Sequence, residues 1–191
     1  MEEFEIKFLE IDVPELENKL VGIGAKKLWD FKQKSALFDY EDFRLDKNHS
    51  WIKLRTNGEI ATLSYKQRIG VKSNDGSIPD DGMKEVEVVV DNFEKTLELF
   101  KSIGFIIKRE MENRRIKYQK GDLIFDIDFW PMIPPYVEIE STSMEKVREV
   151  AKELNFDPEK GFVCSPDQIY MKYGFNLKGY ISVTPRGAIK R

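Results

Sequence analysis

The sequence predicts an α+β fold in which an eight-stranded antiparallel sheet closes into a barrel with helices packed outside it. Three observations carry this prediction. An E-x-E strand followed by an amphipathic helix occurs at Glu3/Glu5, at Glu85/Glu87 and at Glu138/Glu140. Period-2 alternation puts Phe4, Ile6 and Phe8 on one face of the first strand and Glu3, Glu5 and Lys7 on the other. About eight strands are expected, and a set of that size curls, since closure removes exposed edges.

The elements can be justified in order. After the first strand, Asp12 caps a helix with Pro14 in its first turn and Leu16, Leu20 and Ile23 on one stripe, and Gly24 stops it. Residues 27–40 read as a further strand or two. WIKLRT and EIATLSYKQR flank Asn57-Gly58, a strong hairpin signal. Counting outward from a two-residue turn pairs Arg55 with Ile60 and Lys53 with Thr62, so Lys53, Arg55, Lys66 and Arg68 share a face. Breakers over 70–82 predict a long polar loop. The second helix runs from Asp91 or Asn92 to Gly104. A hairpin turning near Lys120-Gly121 sets Arg115 opposite Asp126 and Lys117 opposite Ile124. The third helix carries Thr142 and Glu145 at capping-box spacing. Ser165-Pro166 opens a short last helix, which leaves residues 1–175 as the domain and 176–191 as a peripheral tail.

Composition narrows the function. The 191 residues hold 31 Lys and Arg against 34 Asp and Glu, so acids and bases nearly cancel and no basic excess marks a nucleic-acid partner. A single cysteine, Cys164, and a single histidine, His49, exclude disulfides, thiolate metal sites and an evident triad. Apolar runs are too short to span a bilayer, and the charged start is no signal peptide, so a cytoplasmic protein is expected. With apolar faces turned to helices, eight acids (Glu3, Glu5, Glu85, Glu87, Asp126, Asp128, Glu138, Glu140) meet seven bases (Lys7, Lys53, Arg55, Lys66, Arg68, Arg115, Lys117) on the inner face. Clustered carboxylates repel, and a hard cation such as Mg2+ or Mn2+ relieves this; clustered bases are relieved by a polyphosphate. A metal-chelated triphosphate satisfies both sets.

The ordered set E-x-E-x-K at Glu3, Glu5 and Lys7, K-L-R at Lys53 to Arg55, Y-K-x-R at Tyr65 to Arg68, Glu85/Glu87, and Asp128 ten residues before Glu138-Ile139-Glu140 resembles the CYTH family. These are the triphosphate tunnel metalloenzymes, including class IV adenylate cyclases, thiamine triphosphatases and inorganic triphosphatases. The resemblance spans roughly residues 1–175. It implies an eight-stranded antiparallel barrel and a divalent cation held by Glu3, Glu5, Glu138 and Glu140, with Asp128, Glu85 and Glu87 as further ligands. It also implies a triphosphate gripped by Lys7, Lys53, Arg55, Lys66, Arg68 and Arg115, with Lys117 on the same face. Glu3, Glu5, Lys7, Arg55 and Lys66 are the expected catalytic set.

Where many family members have Q-x-D-x-Y the chain keeps Gln33 but has Ser35 and Leu37, and it departs again at Asn113 before Arg115 and at Ile133-Pro134-Pro135, positions that bear on substrate choice. The expected activity is metal-dependent hydrolysis of an inorganic, nucleoside or thiamine triphosphate by water attack on the terminal phosphoryl group. The alternatives are a class IV adenylate cyclase making cyclic AMP from ATP, and a non-catalytic binder of polyphosphate or a nucleotide. A small-molecule triphosphate is the expected partner, without nucleic acid or membrane, and an apolar outer patch is compatible with a homodimer. Taken singly, each E-x-E pair also fits a solvated strand face with weak salt bridges.

Overall fold

The computed structural model describes residues 4–68 and 83–191. Glu3 and the loop expected over 70–82 lie outside the described residues. In chain order the elements are β1 (Phe4–Leu9), α1 (Val13–Gly22), β2 (Lys26–Asp39), α2 (Arg44–Lys47), β3 (Ser50–Thr56), β4 (Ala61–Arg68), β5 (Met83–Val90), α3 (Phe93–Ser102), β6 (Ile106–Lys120), β7 (Leu123–Phe129), β8 (Tyr136–Ser141), α4 (Met144–Glu153), α5 (Pro166–Lys172), β9 (Tyr180–Thr184) and β10 (Gly187–Lys190). The chain divides into two compact units, one of residues 1–31 and 113–165, the other of residues 32–112 and 166–191.

In the first unit, β1 pairs with β8, β8 with β7, and β7 with the second half of β6, all antiparallel. One face of these strands is apolar because their alternate residues are: Ile6, Phe8, Ile116, Tyr118, Phe125, Ile127, Val137 and Ile139 are buried against Leu16 and Leu20 of α1 and Val147, Val150, Ala151 and Leu154 of α4. Each such side chain contributes roughly 1.5–3 kcal/mol on burial. The Asp12 side chain accepts the Glu15 N–H at 2.9 Å and so starts α1 as expected. The capping box expected at Thr142 does not form. Ser143 takes the cap position of α4 without a side-chain bond, because Thr142 donates instead to the Asp122 carboxylate at 3.0 Å.

In the second unit, β2, β3, β4 and β5 follow one another antiparallel. Ala36, Phe38, Leu54 and Ala61 bury their apolar face against Phe93 and Leu97 of α3, with Phe100 and Phe105 at the margin. Asn92 caps α3 by accepting the Lys95 N–H at 2.8 Å. The tail after residue 175 adds strands: β9 pairs with β10 and runs parallel to β6 at Glu110↔Ser182 and Met111↔Val183.

Two expectations need correction. The sheet has ten strands rather than eight, and among the described residues no ladder of hydrogen bonds closes it, β1 and β5 being the ends of the strand order. The outer edge of β1 is occupied: Lys7 N–H donates to Phe162 O at 2.8 Å, and Phe162 N–H to Lys7 O at 2.9 Å. Both hairpin registers also differ by two residues from the count. Arg55 faces Thr62 and Lys53 faces Ser64, because the Asn57 side chain accepts the N–H groups of Glu59 and Ile60 and lengthens the loop to residues 57–60. Arg115 faces Asp128 and Lys117 faces Asp126, with the turn at Gly121 and Asp122. A slip of two keeps every side chain on its face, whereas a slip of one would have reversed them. No helix among the described residues is long and apolar enough to cross a membrane.

The approach of residues 161–162 to β1 depends on Gly161, where a Cβ would stand 2.1 Å from the buried Ile6 Cγ2 and 3.2 Å from the Phe8 ring. Gly161→Ala is therefore expected to destabilise the protein by roughly 1–3 kcal/mol through overpacking. Urea denaturation measures it, and an unchanged midpoint would show that residues 161–162 do not hold the β1 edge.

Candidate functional site

The charged face of the first unit is built in cross-strand rows, because register brings particular residues level on adjacent strands. One row runs Glu5, Glu140, Ile124; the next runs Lys7, Glu138, Asp126, Lys117; the third runs Leu9, Tyr136, Asp128, Arg115. Glu5 and Glu140 are thus directly opposed like charges. The middle row alternates in sign at its ends. Lys7 Nζ lies 2.5 Å from Glu5 Oε1 and 3.4 Å from Glu138 Oε1, and Lys117 Nζ lies 3.4 Å from Asp126 Oδ2. Lys7 is 1% exposed. Burial opposes its charge, but Glu138 and Glu5 outweigh that and hold its pKa above the ordinary lysine value.

Arg115 ties the third row to the second. Its Nε donates to Asp128 Oδ1 at 2.8 Å, its Nη2 to Asp128 Oδ2 at 2.5 Å and Glu138 Oε2 at 3.2 Å, and its Nη1 to Asp126 Oδ2 at 2.6 Å. Asn113, two residues earlier on the same face, adds a bond to Asp128 Oδ1 at 3.1 Å. Burial would lower the guanidinium pKa, yet Asp128, Glu138 and Asp126 raise it well above the ordinary value. Asp128 is fully buried, and burial, reinforced by the charges of Glu138 and Asp126 and opposed by Arg115, pushes its pKa up to about 6. The Tyr136 hydroxyl, buried beside the Trp130 indole, is likewise raised, first by burial and then by Asp128 and Glu138, so it stays protonated as a donor. Among the described residues neither it nor Asp126 Oδ1 has a hydrogen-bond partner.

The second unit carries the basic counterpart. Lys53, Arg55, Lys66 and Arg68 share one face of β3 and β4 with Ser64 and Thr62, and Glu85 and Glu87 of β5 lie beside them. Lys66 pairs with Glu85 at 2.9 Å, and the Arg68 guanidinium lies 5.9 Å from the Trp51 ring. Arg55 and Glu87 form no ion pair among the described residues. Glu85 and Glu87 are exposed.

Within each unit the charges of the described residues on the charged face do not cancel. Glu5, Asp126, Asp128, Glu138 and Glu140 exceed Lys7, Arg115 and Lys117 by two negative charges in the ionised state. Lys53, Arg55, Lys66 and Arg68 exceed Glu85 and Glu87 by two positive charges. The first face fits a hard divalent cation in the chemistry of its donors: all are carboxylate oxygens, Glu5 and Glu140 oppose each other, and Asp126 keeps a buried oxygen without a hydrogen-bond partner. Among the described residues no three acids are arranged to hold a metal ion as they stand, the carboxylates being turned toward Lys7 and Arg115.

Of the expected residues, Glu5, Lys7, Arg115, Lys117, Asp128, Glu138 and Glu140 therefore come together on the first unit, and Lys53, Arg55, Lys66, Arg68, Glu85 and Glu87 on the second; Glu3 is outside the described residues. Asn113 and Tyr136 were not among the expected site residues. Their signal was present, since each sits two residues from a named site residue, Arg115 and Glu138, on the same strand face.

This fold and charge pattern have relatives. Residues 1–163 match the CYTH domain, and the chain belongs to that family. A protein from Pyrococcus horikoshii OT3 shares 20% identity with it at a TM-score of 0.65, over 84% of this chain and 94% of that one. A Vibrio parahaemolyticus protein proposed to be an adenylate cyclase aligns at 14% identity and a TM-score of 0.70, covering 88% and 97% of the two chains. A Hippeastrum protein, proposed as an adenylyl cyclase and described as having a dominant triphosphatase activity, aligns at 19% identity and a TM-score of 0.62, covering 91% and 96%. At these identities the likeness is one of fold. No curated protein matches the chain in sequence.

The raised Asp128 pKa has a testable sign. Between the unfolded value of about 3.8 and the folded value of about 6, the unfolded chain binds fewer protons, so this residue's contribution to stability falls as pH rises. Urea melts across pH 4 to 7 should show wild type losing roughly 1–3 kcal/mol relative to Asp128→Asn. Parallel curves for the two proteins would contradict the raised pKa.

Proposed function

We propose that the chain hydrolyses a triphosphate with the help of a divalent cation, Mg2+ or Mn2+, by attack of water on the terminal phosphoryl group. The carrying observation is the make-up of two donor sets: on the first unit the carboxylates of Glu5 and Glu140 lie level on adjacent strands, and on the second Lys53, Arg55, Lys66 and Arg68 share one face; the chemistry of the first suits a hard divalent cation and that of the second suits phosphoryl oxygens. Membership of the CYTH family supports the reading. Phosphoryl transfer demands chiefly positioning and charge neutralisation, so neither the lone histidine nor the lone cysteine need act as a nucleophile.

The residues then divide the work. Glu3, Glu5, Glu138 and Glu140 would hold the cation, with Asp128 held by Arg115 and Asn113 as support. Glu85 and Glu87, exposed on β5, are secondary candidates as ligands. A bound Mg2+ or Mn2+ supplies Lewis-acid polarisation of phosphoryl oxygens. Arg55, without an ion pair among the described residues, and Lys66, which pairs there with the exposed Glu85, would bind phosphoryl oxygens. Lys53 and Arg68 extend that row, and Lys7 and Lys117 offer ammonium groups on the acidic face. Together these cations stabilise charge on the transferring phosphoryl and the departing phosphate chain.

Glu140→Gln is expected to lower turnover at least about a hundredfold while leaving thermal unfolding nearly unchanged. Incubation with inorganic triphosphate, ATP and thiamine triphosphate, measuring phosphate, pyrophosphate and cyclic AMP, tests this. Retained phosphate release in Glu140→Gln would sink the cation assignment, and cyclic AMP with pyrophosphate from the wild type would replace the hydrolase with a cyclase. Because no ion pair is lost, Arg55→Ala should raise KM about tenfold or more without destabilising the fold. An unchanged KM would remove Arg55 from the phosphate grip.

A further inference from the structure

Strand β2 brings an aromatic pair to the charged face of the first unit. Along residues 28–32 exposure alternates, with Leu28, Asp30 and Lys32 exposed and Trp29 and Phe31 part-buried, so the two aromatics share a face. Their rings stack with centroids 5.4 Å apart and planes 19° apart. Among the described residues they are in neither the cluster around α1 and α4 nor the cluster around α3. The opposite face of the strand is already engaged: Asp30 accepts two hydrogen bonds from Arg114, both at 2.7 Å.

What links this pair to the acidic rows is Lys117. Its ammonium lies 5.6 Å from the centre of the Trp29 ring and 3.4 Å from Asp126 Oδ2, so one side chain touches both the aromatic pair and the row that runs through Asp126 and Glu138 to Lys7. A half-buried indole stacked with a second ring, and with an ammonium 5.6 Å from its centre, is pre-ordered, and costs little to immobilise when a further ring packs beside the pair. A ligand with an aromatic ring at one end and a phosphate chain at the other matches that sequence of groups. The ring finds a π-face and the phosphates find Lys117.

Resting on the triphosphate reading above, we propose that Trp29, backed by Phe31 and oriented by Lys117, is a stacking platform for the ring of an organic triphosphate, and so selects organic over inorganic substrate. Stacking tolerates any flat ring, which leaves a nucleobase and the thiamine rings as the two sources of the same chemistry. The departures from the family pattern noted in the sequence begin at Ser35, four residues beyond Phe31 on the same strand.

The test compares wild type, Trp29→Leu and Trp29→Phe with inorganic triphosphate, ATP and thiamine triphosphate under Mg2+, separating KM from kcat, together with calorimetric titration of a β,γ-methylene ATP analogue. For whichever organic substrate docks, Trp29→Leu should raise KM and weaken analogue binding, where the base is adenine, roughly tenfold or more. Trp29→Phe should restore most of the loss, and inorganic triphosphate, having no ring, should shift little. A change confined to ATP identifies a nucleobase, and one confined to thiamine triphosphate identifies the thiamine rings. The proposal is overturned if neither organic KM moves, or if the inorganic KM rises by the same factor, which would mark Trp29 as structural. If the wild type turns over no triphosphate, the hydrolase reading fails by itself; the platform then stands if the analogue binds wild type more tightly than Trp29→Leu, and falls if it does not.

Discussion

The guanidinium of Arg115 lies among Asp126, Asp128 and Glu138, and the charged face of the first unit is organised around that fact. Three carboxylates from neighbouring strands could not be buried together without a cation that bonds all of them, since each unpaired buried charge costs several kcal/mol. Arginine suits the place because its donors form a rigid fork, two prongs taking Asp128 while the others reach Asp126 and Glu138. The arrangement joins three strands, β6, β7 and β8, from the polar side, while Ile116, Ile127 and Val137 join the same strands from the apolar side. Lys7 repeats the device at the β1 end with Glu5 and Glu138, and the backbone pairing with Phe162 holds that end in place.

This arrangement gathers carboxylates on one face. Glu5 and Glu140 stand opposed, and among the described residues one oxygen of Asp126 accepts no hydrogen bond although it is buried. Such a face is costly as it stands and is relieved by a bound cation, which is the physical basis of the proposed chemistry. The row on β3 and β4 gathers Lys53, Arg55, Lys66 and Arg68 on one face. Its expected role follows from that run of cationic donors rather than from any nucleophile, of which the sequence offers almost none.

Side-chain faces were legible in the sequence, and strand edges were not. Alternation placed Lys53, Arg55, Lys66, Arg115 and Lys117 on their charged faces even though both hairpin counts were two residues out, because the pleat repeats every two residues. Those counts failed where a side chain, Asn57, reorganised the loop, and where the turn fell one residue beyond Gly121. Closure into eight strands was expected from the wish to bury edges. The β1 edge was instead taken by residues 161–162, whose close approach rests on a glycine, and the last residues added β9 and β10, which a short polar tail did not announce. Burial was the other hidden quantity. Nothing in the spacing of the acids distinguishes a fully buried Asp128 from an exposed Glu87, and that burial is the first cause of the raised pKa of Asp128.

The central claim is that the acidic face takes a divalent cation in the absence of any substrate. Thermal unfolding of the wild type and of the Glu5→Gln/Glu140→Gln double variant, each titrated with Mn2+, addresses it directly. The account predicts a saturable rise in the wild-type Tm, since a ligand bound only by the folded state stabilises it. In the double variant that rise should be absent. A wild-type Tm indifferent to Mn2+, or an equal rise in both proteins, would contradict it.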